Sequence, residues 1–315
     1  MSKNNQISLT VLGSRGSLPI SSPEKVRYGG NTSCYLLETD KEAIILDAGS
    51  GIQNLPDLGE RRKSLLITHT HMDHIVGLPA FLTSLWGKKL AIFGATYEGL
   101  TIKQQLDRYI SRPLWPITIE DHNLEMDIVN IDFRSPEGLA VSTALGNNVI
   151  YEADGVARFD IGDVKVACMP SNHPGGSTLY RLEYEGKSVV YATDFEHEVL
   201  PAAKRERGAD TLDASSDGGS PITPLERLAK FSMGADLIMY DAQYTPEEYE
   251  KCRGFGHSTY IQALDLKKRT GAGEILLVHH NPSHADDFMD KMAADVAALS
   301  ADGISFAKEG MVIEL

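Results

Sequence analysis

The stretch Thr68-His69-Thr70-His71-Met72-Asp73-His74 constrains this chain more than any other. It follows the apolar run Ser64-Leu65-Leu66-Ile67, which reads as a buried strand, and precedes Ile75-Val76-Gly77-Leu78-Pro79-Ala80-Phe81, which reads as the opening of a helix. Four metal-capable side chains, in the pattern His-x-His-x-Asp-His, thus stand on a strand-to-helix turn. Imidazole nitrogens and carboxylate oxygens are donors that zinc and similar borderline metals take. In an extended segment His69 and His71 point the same way and can reach one ion. Asp73 and His74 lie one step further round the turn, placed for a second ion. Solvated turn histidines are the bland alternative, but polar groups rarely cluster behind a buried strand without a task. A two-metal site is the economical reading.

The arrangement recurs along the chain. The strand Val164 to Met169 runs into Asn172-His173-Pro174, and Ser188 to Ala192, second arm of a hairpin around Glu185-Gly186, runs into Thr193-Asp194. Asp236 to Tyr240 ends at Asp241, and Glu274 to Val278 ends at His279-His280. Each of these alone would usually be a turn or cap residue. In α/β sheets the C-terminal strand ends converge on one rim, where sites are built, so together they describe one centre gathered from across the chain. The pair His279-His280 leaves the last donor open, with His279 preferred because it lies directly at the strand end.

Elsewhere, Ile7 to Leu12 reads as a strand followed by the turn Gly13 to Ser17, and Gly29 to Ser33 is a polar stretch before the strand Cys34 to Leu37. Ala43 to Leu46 is a short strand ending at Asp47, a residue that either holds a histidine or caps a helix. Ile75 to Trp86 and Thr101 to Ile110 read as helices, with a parallel strand at Leu90 to Gly94 between them. Residues 95–160 are the least patterned and suggest a lid or insertion. There Arg108, Arg112 and Trp115 offer cations for phosphate and a ring for stacking, against a favoured alternative of a surface arginine pair and a core tryptophan. The Ser-, Gly- and Asp-rich residues 210–220 read as a loop. Gly256-His257-Ser258-Thr259 opens a helix through Lys268, with Ser258 or Thr259 as the expected N-cap. Helices at Leu225 to Met233 and Phe288 to Leu299 and a strand at Met311 to Leu315 complete the chain. No linker divides it, so one domain over 1–315 is expected, with no repeat legible by eye.

Charge narrows the partners. Thirty Lys and Arg stand against 44 Asp and Glu, a net −14, and a protein that grips long polyanions normally carries a basic stripe. This argues against nucleic acid but permits a small anionic substrate, because metal ions bring their own positive charge. Cys34, Cys168 and Cys252 are widely spaced without a CxxC, which fits a reducing cytosol rather than a disulfide framework. No apolar run approaches a membrane span and the N-terminus has no apolar signal core. A cytoplasmic protein without a membrane partner is expected.

The His-x-His-x-Asp-His hexad, with Gly29-Gly30-Asn31-Thr32-Ser33, Asn172-His173-Pro174, Thr193-Asp194, Tyr240-Asp241, Gly256-His257-Ser258-Thr259 and Val278-His279 in that order, resembles the metallo-β-lactamase superfamily. Within it the chain looks closest to ribonuclease Z-like phosphodiesterases and the cyclic-phosphate phosphodiesterases of phosphonate metabolism. The resemblance covers nearly the whole chain and implies an α/β fold, a four-layer αββα sandwich. It implies that His69, His71 and His173 hold one divalent metal, that Asp73, His74 and His279 hold a second, and that Asp194 bridges both. The ions would be Zn2+, with Mn2+ or Fe2+ as alternatives, and a homodimer is the family-level expectation.

In the ribonuclease Z-like branch an acid placed like Asp241 orients a histidine placed like His257 against the scissile phosphate. A carboxylate that fixes an imidazole lets it donate to a phosphoryl oxygen or leaving group. The expected activity is therefore phosphodiester hydrolysis by a metal-bridging hydroxide, on a small substrate such as a 3′,5′-cyclic nucleotide or other cyclic phosphate. Rivals are ribonuclease Z-like RNA processing, thioester or lactone hydrolysis on the same scaffold, and a metal-binding regulator without turnover.

Overall fold

The computed structural model describes residues 7–85, 87–134, 150–151, 155–199, 222–299 and 302–315. Two mixed sheets face one another. The first contains β1 (Ser8–Gly13), β2 (Cys34–Glu38), β3 (Glu42–Leu46), β4 (Arg62–Leu66), β5 (Lys89–Ala95), β6 (Glu125–Ile131) and β15 (Val312–Glu314), in the order β15-β1-β2-β3-β4-β5-β6. The second contains β7 (Ile150–Tyr151), β8 (Ala157–Ile161), β9 (Val164–Pro170), β10 (Thr178–Tyr184), β11 (Lys187–Ala192), β12 (Leu237–Asp241), β13 (Glu274–Val278) and β14 (Ile304–Phe306), in the order β14-β13-β12-β11-β10-β9-β8-β7.

Strand directions repeat between the sheets. From β1 to β6 neighbours pair antiparallel twice and then parallel three times. From β9 to β14 the same succession returns. The repetition that sequence comparison by eye leaves hidden is thus plain in the topology.

Apolar patterning explains the layers. Leu9, Val11, Tyr35, Leu37, Ile44, Leu46, Leu66 and Phe93 of the first sheet pack between the sheets against Phe159, Val166, Cys168, Tyr180, Leu182, Val189, Tyr191, Met239 and Val278 of the second. Alternate residues of the same strands, such as Leu36, Ile45, Leu65 and Ile92, face outward and are covered by helices α1 (Met72–Ile75), α2 (Leu78–Ser84) and α3 (Ile102–Tyr109). On the other outer face, α4 (Pro224–Phe231), α6 (Tyr260–Thr270) and α7 (Asp286–Ala298) cover Val190, Ile238, Tyr240, Ile275 and Leu277. Because a strand alternates its side chains, one apolar strand can feed both an inner and an outer core. The result is the expected four-layer αββα sandwich.

Helix starts are set locally. Thr101, Thr223 and Thr245 each accept from the backbone of the residue three places on, whose side chain, Gln104, Glu226 or Glu248, bonds back to the threonine N–H. The last of these opens α5 (Pro246–Cys252).

Several expectations change. The single helix over Ile75 to Trp86 is instead α1 and α2, broken at Gly77, whose N–H donates to the Ala48 carbonyl. A Cβ at Gly77 would lie 2.4 Å from Ile52 and 2.5 Å from the Gly49 carbonyl, so the loop after β3 occupies the space a continuous helix would need. Neither expected hydroxyl caps α6. Ser258 Oγ donates to the Phe195 carbonyl, and Thr259, though at the N-cap position, turns its hydroxyl to the Gln262 side chain. Within 95–160, residues 102–109 and 125–131 are an integral helix and edge strand of the first sheet, while 135–149 and 152–154 lie outside the described residues. Trp115 packs, partly buried, on the outer core of that sheet, and Arg112 Nε donates to the Pro116 carbonyl, so both follow the bland alternative. The loop expected over 210–220 lies outside the described residues. Cys34, Cys168 and Cys252 are free thiols. Among the described residues no helix is long and apolar enough to cross a membrane.

Phe93 in the first sheet stacks on Phe159 in the second, with ring centroids 4.9 Å apart. Removing a fully buried ring leaves a cavity worth about 3–5 kcal/mol. Phe93→Ala should therefore lower the urea midpoint by that amount of stability, and a loss below ~1 kcal/mol would show that the sheets are not held together there.

Candidate metal centre

The tips of β3, β4, β9, β11, β12 and β13 meet at one rim. Three non-glycine residues there adopt left-handed backbone, Asp47 (φ 58°), Asp194 (φ 51°) and His279 (φ 61°). Such conformations are uncommon for non-glycine residues and persist where surrounding bonds fix them. Each aims its side chain off a strand end into the shared space.

His69, His71 and His173 bring ring nitrogens within 4.8 Å of one another, as do the donors of Asp73, His74 and His279. Asp194 stands between the two groups. Its Oδ1 is 3.7 Å from His69 Nε2 and 3.8 Å from His173 Nε2, while its Oδ2 is 3.1 Å from His74 Nε2 and 3.4 Å from His279 Nε2. His71 Nδ1 lies 3.2 Å from His173 Nε2, and Asp73 Oδ2 lies 3.2 Å from His279 Nε2 and 3.3 Å from His74 Nε2. Asp194 thus turns one oxygen toward each triad.

Behind the donors, acceptors fix the imidazoles. Asp47, fully buried, accepts from His74 Nδ1 at 2.7 Å, from the Thr68 hydroxyl at 2.9 Å and from the Tyr191 hydroxyl at 2.8 Å. The Thr68 oxygen is 3.1 Å from His69 Nδ1. Of the two sequence readings for Asp47, the structure realises the one in which it holds a histidine. His173 Nδ1 donates to the Gly256 carbonyl at 2.9 Å. With Nδ1 committed to these acceptors, the rings turn Nε2 toward the centre, the arrangement found around metal-binding histidines. The Nε2 atom of His69 is buried with no hydrogen-bond partner. Buried nitrogens without partners are costly, and a cation offers the missing interaction. This donor chemistry fits a divalent metal of the zinc type.

Electrostatics separates the two triads. Burial pushes His173 down to about 3, and burial together with neighbouring His71 and His74 holds His69 well below its ordinary range. His71 is likewise lowered by burial. These three rings are neutral donors. Burial alone would also lower His279, but Asp194 and Asp73 outweigh it and raise His279 to about 9. The same balance, with Asp194, Asp73 and Asp47 winning, keeps His74 well above its usual value. Burial would raise the carboxyls of Asp73 and Asp194, yet facing His74 and His279 they are held below the usual carboxylate range.

Beside the triads, His257 Nδ1 is 2.9 Å from Asp241 Oδ2. Its ring stacks on His279 at 4.8 Å and meets His173 edge-on at 5.3 Å. Asp241 is saturated: Oδ2 also accepts from the Asp194 N–H at 2.9 Å, and Oδ1 from Ser258 N–H at 3.0 Å and Gln243 N–H at 3.2 Å. His280 points elsewhere, its Nε2 donating to the Ala307 carbonyl at 2.9 Å. The structure therefore brings His69, His71, Asp73, His74, His173, Asp194, Asp241, His257 and His279 together and leaves His280 out.

Sequence reasoning missed the residues that make room. Ser17 N–H donates to Asp73 Oδ2 at 2.7 Å. A Cβ at Gly16 would lie 2.3 Å from the His279 ring, and one at Gly256 would lie 2.1 Å from His173 Nδ1. In the sequence Gly256 merely opens the Gly256-His257-Ser258-Thr259 motif and Gly16 lies in the turn after the first strand, and neither shows which ring it faces.

Ligation requires unprotonated imidazole, so binding at the Asp73, His74 and His279 triad must release protons at neutral pH. Zinc affinity should fall as pH drops below about 9, the value to which the neighbouring carboxylates raise His279. Calorimetric titration in buffers of differing ionisation enthalpy should show net proton release at pH 7, and none would contradict the charge pattern described.

The superfamily's sequence pattern, described as "Metallo-beta-lactamase superfamily", matches residues 27–220. The chain is 26% identical over 321 residues to the ribonuclease Z of Haloarcula marismortui, covering 96% of this chain and 95% of that one. It is 27% identical over 281 residues to the ribonuclease Z of Lacticaseibacillus casei, covering 82% and 81%. Among solved structures, the short form of human tRNase Z is similar with a TM-score of 0.63 at 18% identity, covering 97% of this chain and 98% of that one. The Bacillus subtilis metallo-beta-lactamase fold protein YhfI gives 0.63 at 18% identity, covering 99% and 100%. Sheet topology, donor chemistry and matched length agree: this chain belongs to the metallo-beta-lactamase superfamily.

Proposed function

We propose that this metal-dependent hydrolase is a binuclear phosphodiesterase acting on a small phosphodiester, most simply a 3′,5′-cyclic nucleotide or other cyclic phosphate. The observation that carries the reading is the Asp241–His257 pair, joined at 2.9 Å and packed against both triads. Hydrolysis of thioesters or lactones has no need of a second imidazole so held.

In this reading His69, His71 and His173 would hold one divalent ion and Asp73, His74 and His279 the other, with Asp194, whose two oxygens face the two groups, shared between them. Zn2+ suits the donor set, with Mn2+ or Fe2+ as alternatives. Bound ions supply Lewis acidity toward a phosphoryl oxygen and bring the pKa of water toward neutrality. The chain's own groups do the rest. Asp241 fixes the His257 ring through Nδ1, which leaves Nε2 to hydrogen-bond a non-bridging oxygen or to give a proton to the departing alkoxide. The four hydrogen bonds received by Asp241 keep that ring from rotating away.

Small substrates are favoured by charge. The sequence carries −14 overall, and described cations near the rim are engaged: Arg253 with Glu198 and Glu250, and Lys25 with the Pro282 carbonyl. Leu18, Met72 and Phe255, each next to a residue bonded within the centre, are exposed apolar side chains. RNA processing is the second reading, favoured by curated relatives that bear the name ribonuclease Z over most of their length.

Hydrolysis of bis-p-nitrophenyl phosphate, a panel of cyclic nucleotides and a 3′-extended transfer RNA, with zinc or manganese added, tests both readings. Asp73→Ala should abolish turnover, and His257→Ala should lower kcat by about 10²–10⁴-fold. Cleavage of the transfer RNA at a kcat/KM above that for every cyclic nucleotide would install the second reading. No cleavage of any phosphodiester by the metal-loaded protein would remove the first.

A further inference from the structure

Glu196 is 1% exposed, and the catalytic scheme above does not use it. Its Oε1 accepts from the Tyr249 hydroxyl at 2.8 Å and from Gly254 N–H at 2.6 Å, and its Oε2 accepts from Gly256 N–H at 2.8 Å. A buried carboxylate is expensive unless fully hydrogen-bonded, and this one takes two of its donors from the loop at 254–256 and the third from Tyr249 in α5. The backbone at 254–256 is wrapped round it, with Gly254 and Gly256 both at positive φ (78° and 92°).

That loop touches the centre at two points. The Gly256 carbonyl accepts from His173 Nδ1 at 2.9 Å, and His257 follows directly. Glu196 also reaches His173 from the other side. Its N–H donates to the Asn172 carbonyl at 3.0 Å, and its own carbonyl accepts from Asn172 Nδ2 at 2.6 Å. One residue thus fixes the chain before His173 and the carbonyl that orients the His173 ring.

We propose that Glu196 is a positioning residue for the metal centre: its carboxylate holds the Gly254–Gly256 loop so that the Gly256 carbonyl selects the His173 tautomer with Nε2 free. The inference rests on the reading of His173 as a metal donor. Three donors point at two carboxylate oxygens, so a glutamine, with one oxygen and one NH2, must set a donor against a donor. Glu196→Gln keeps the volume and loses the clamp. Tyr249→Phe removes one bond to the same carboxylate and leaves Gly254 and Gly256 untouched.

The test is zinc binding to the metal-free full chain, read by competition with a chromophoric chelator, alongside melting temperature and kcat. Wild type should bind two zinc ions. Glu196→Gln should weaken one of the two by about 10–100-fold, the usual effect of losing a group that orients a metal-binding histidine, while Tyr249→Phe keeps both near wild type. Glu196→Asp, which retains the charge but falls a methylene short, should lie between them, and it carries the test if the glutamine variant does not fold. Two ions bound at wild-type strength by Glu196→Gln, or by Glu196→Asp in its place, would overturn the proposal. A wild-type chain that binds no zinc would overturn the metal reading and this proposal with it. Binding by wild type with an unaffected variant would overturn the proposal alone.

Discussion

Two fully buried carboxylates, Asp47 and Asp241, carry the arrangement on which the site depends. Neither belongs to a triad. Asp47 accepts from the Thr68 backbone at the tip of the neighbouring strand and from His74, and Asp241 accepts from the Asp194 backbone at the tip of its neighbour and from His257. A buried charge costs several kcal/mol unless its lone pairs are filled. Here they are filled by backbone N–H groups at adjoining strand ends and by imidazoles, so the cost is offset only when the strands stand in register. The two acids play related parts in the two sheets, whose strand directions follow the same succession.

The centre shows how chemically alike imidazoles can be given opposite electrostatic surroundings within one cleft. His69, His71 and His173 face one another and Asp194, and burial lowers all three. His74 and His279 face Asp73 and Asp194, and those carboxylates outweigh burial. The chemical identity of the donors is nearly the same. Their neighbours decide.

Much of this was legible in the sequence because strand tips are local features. An apolar run, followed by a histidine or aspartate, identifies a side chain at a sheet rim without knowledge of the partner strands, and the hexad then fixes the chemistry. What stayed hidden depends on tertiary contact. Glu196 sits in an ordinary-looking Phe195-Glu196-His197 segment, and only the folded loop at 254–256 reveals its bonds. Gly77 breaks a helix because the loop after β3 passes beside it, which no helical periodicity could foretell. Ser258 and Thr259 carry the right chemistry for a helix cap, but the Phe195 carbonyl and the Gln262 side chain compete successfully for their hydroxyls.

The donors of each triad come from both sheets. His71 from the tip of β4 meets His173 from beyond β9 across 102 residues of chain, and Asp73 meets His279 across 206. An ion seated in either group is therefore a non-covalent staple that ties together positions far apart in the chain. The free energy of closing such loops grows only logarithmically with length, so the longer span is little costlier to close than the shorter one. Occupancy would then govern resistance to unfolding and proteolysis as well as chemistry, because metal that binds only the folded state shifts the folding equilibrium toward it.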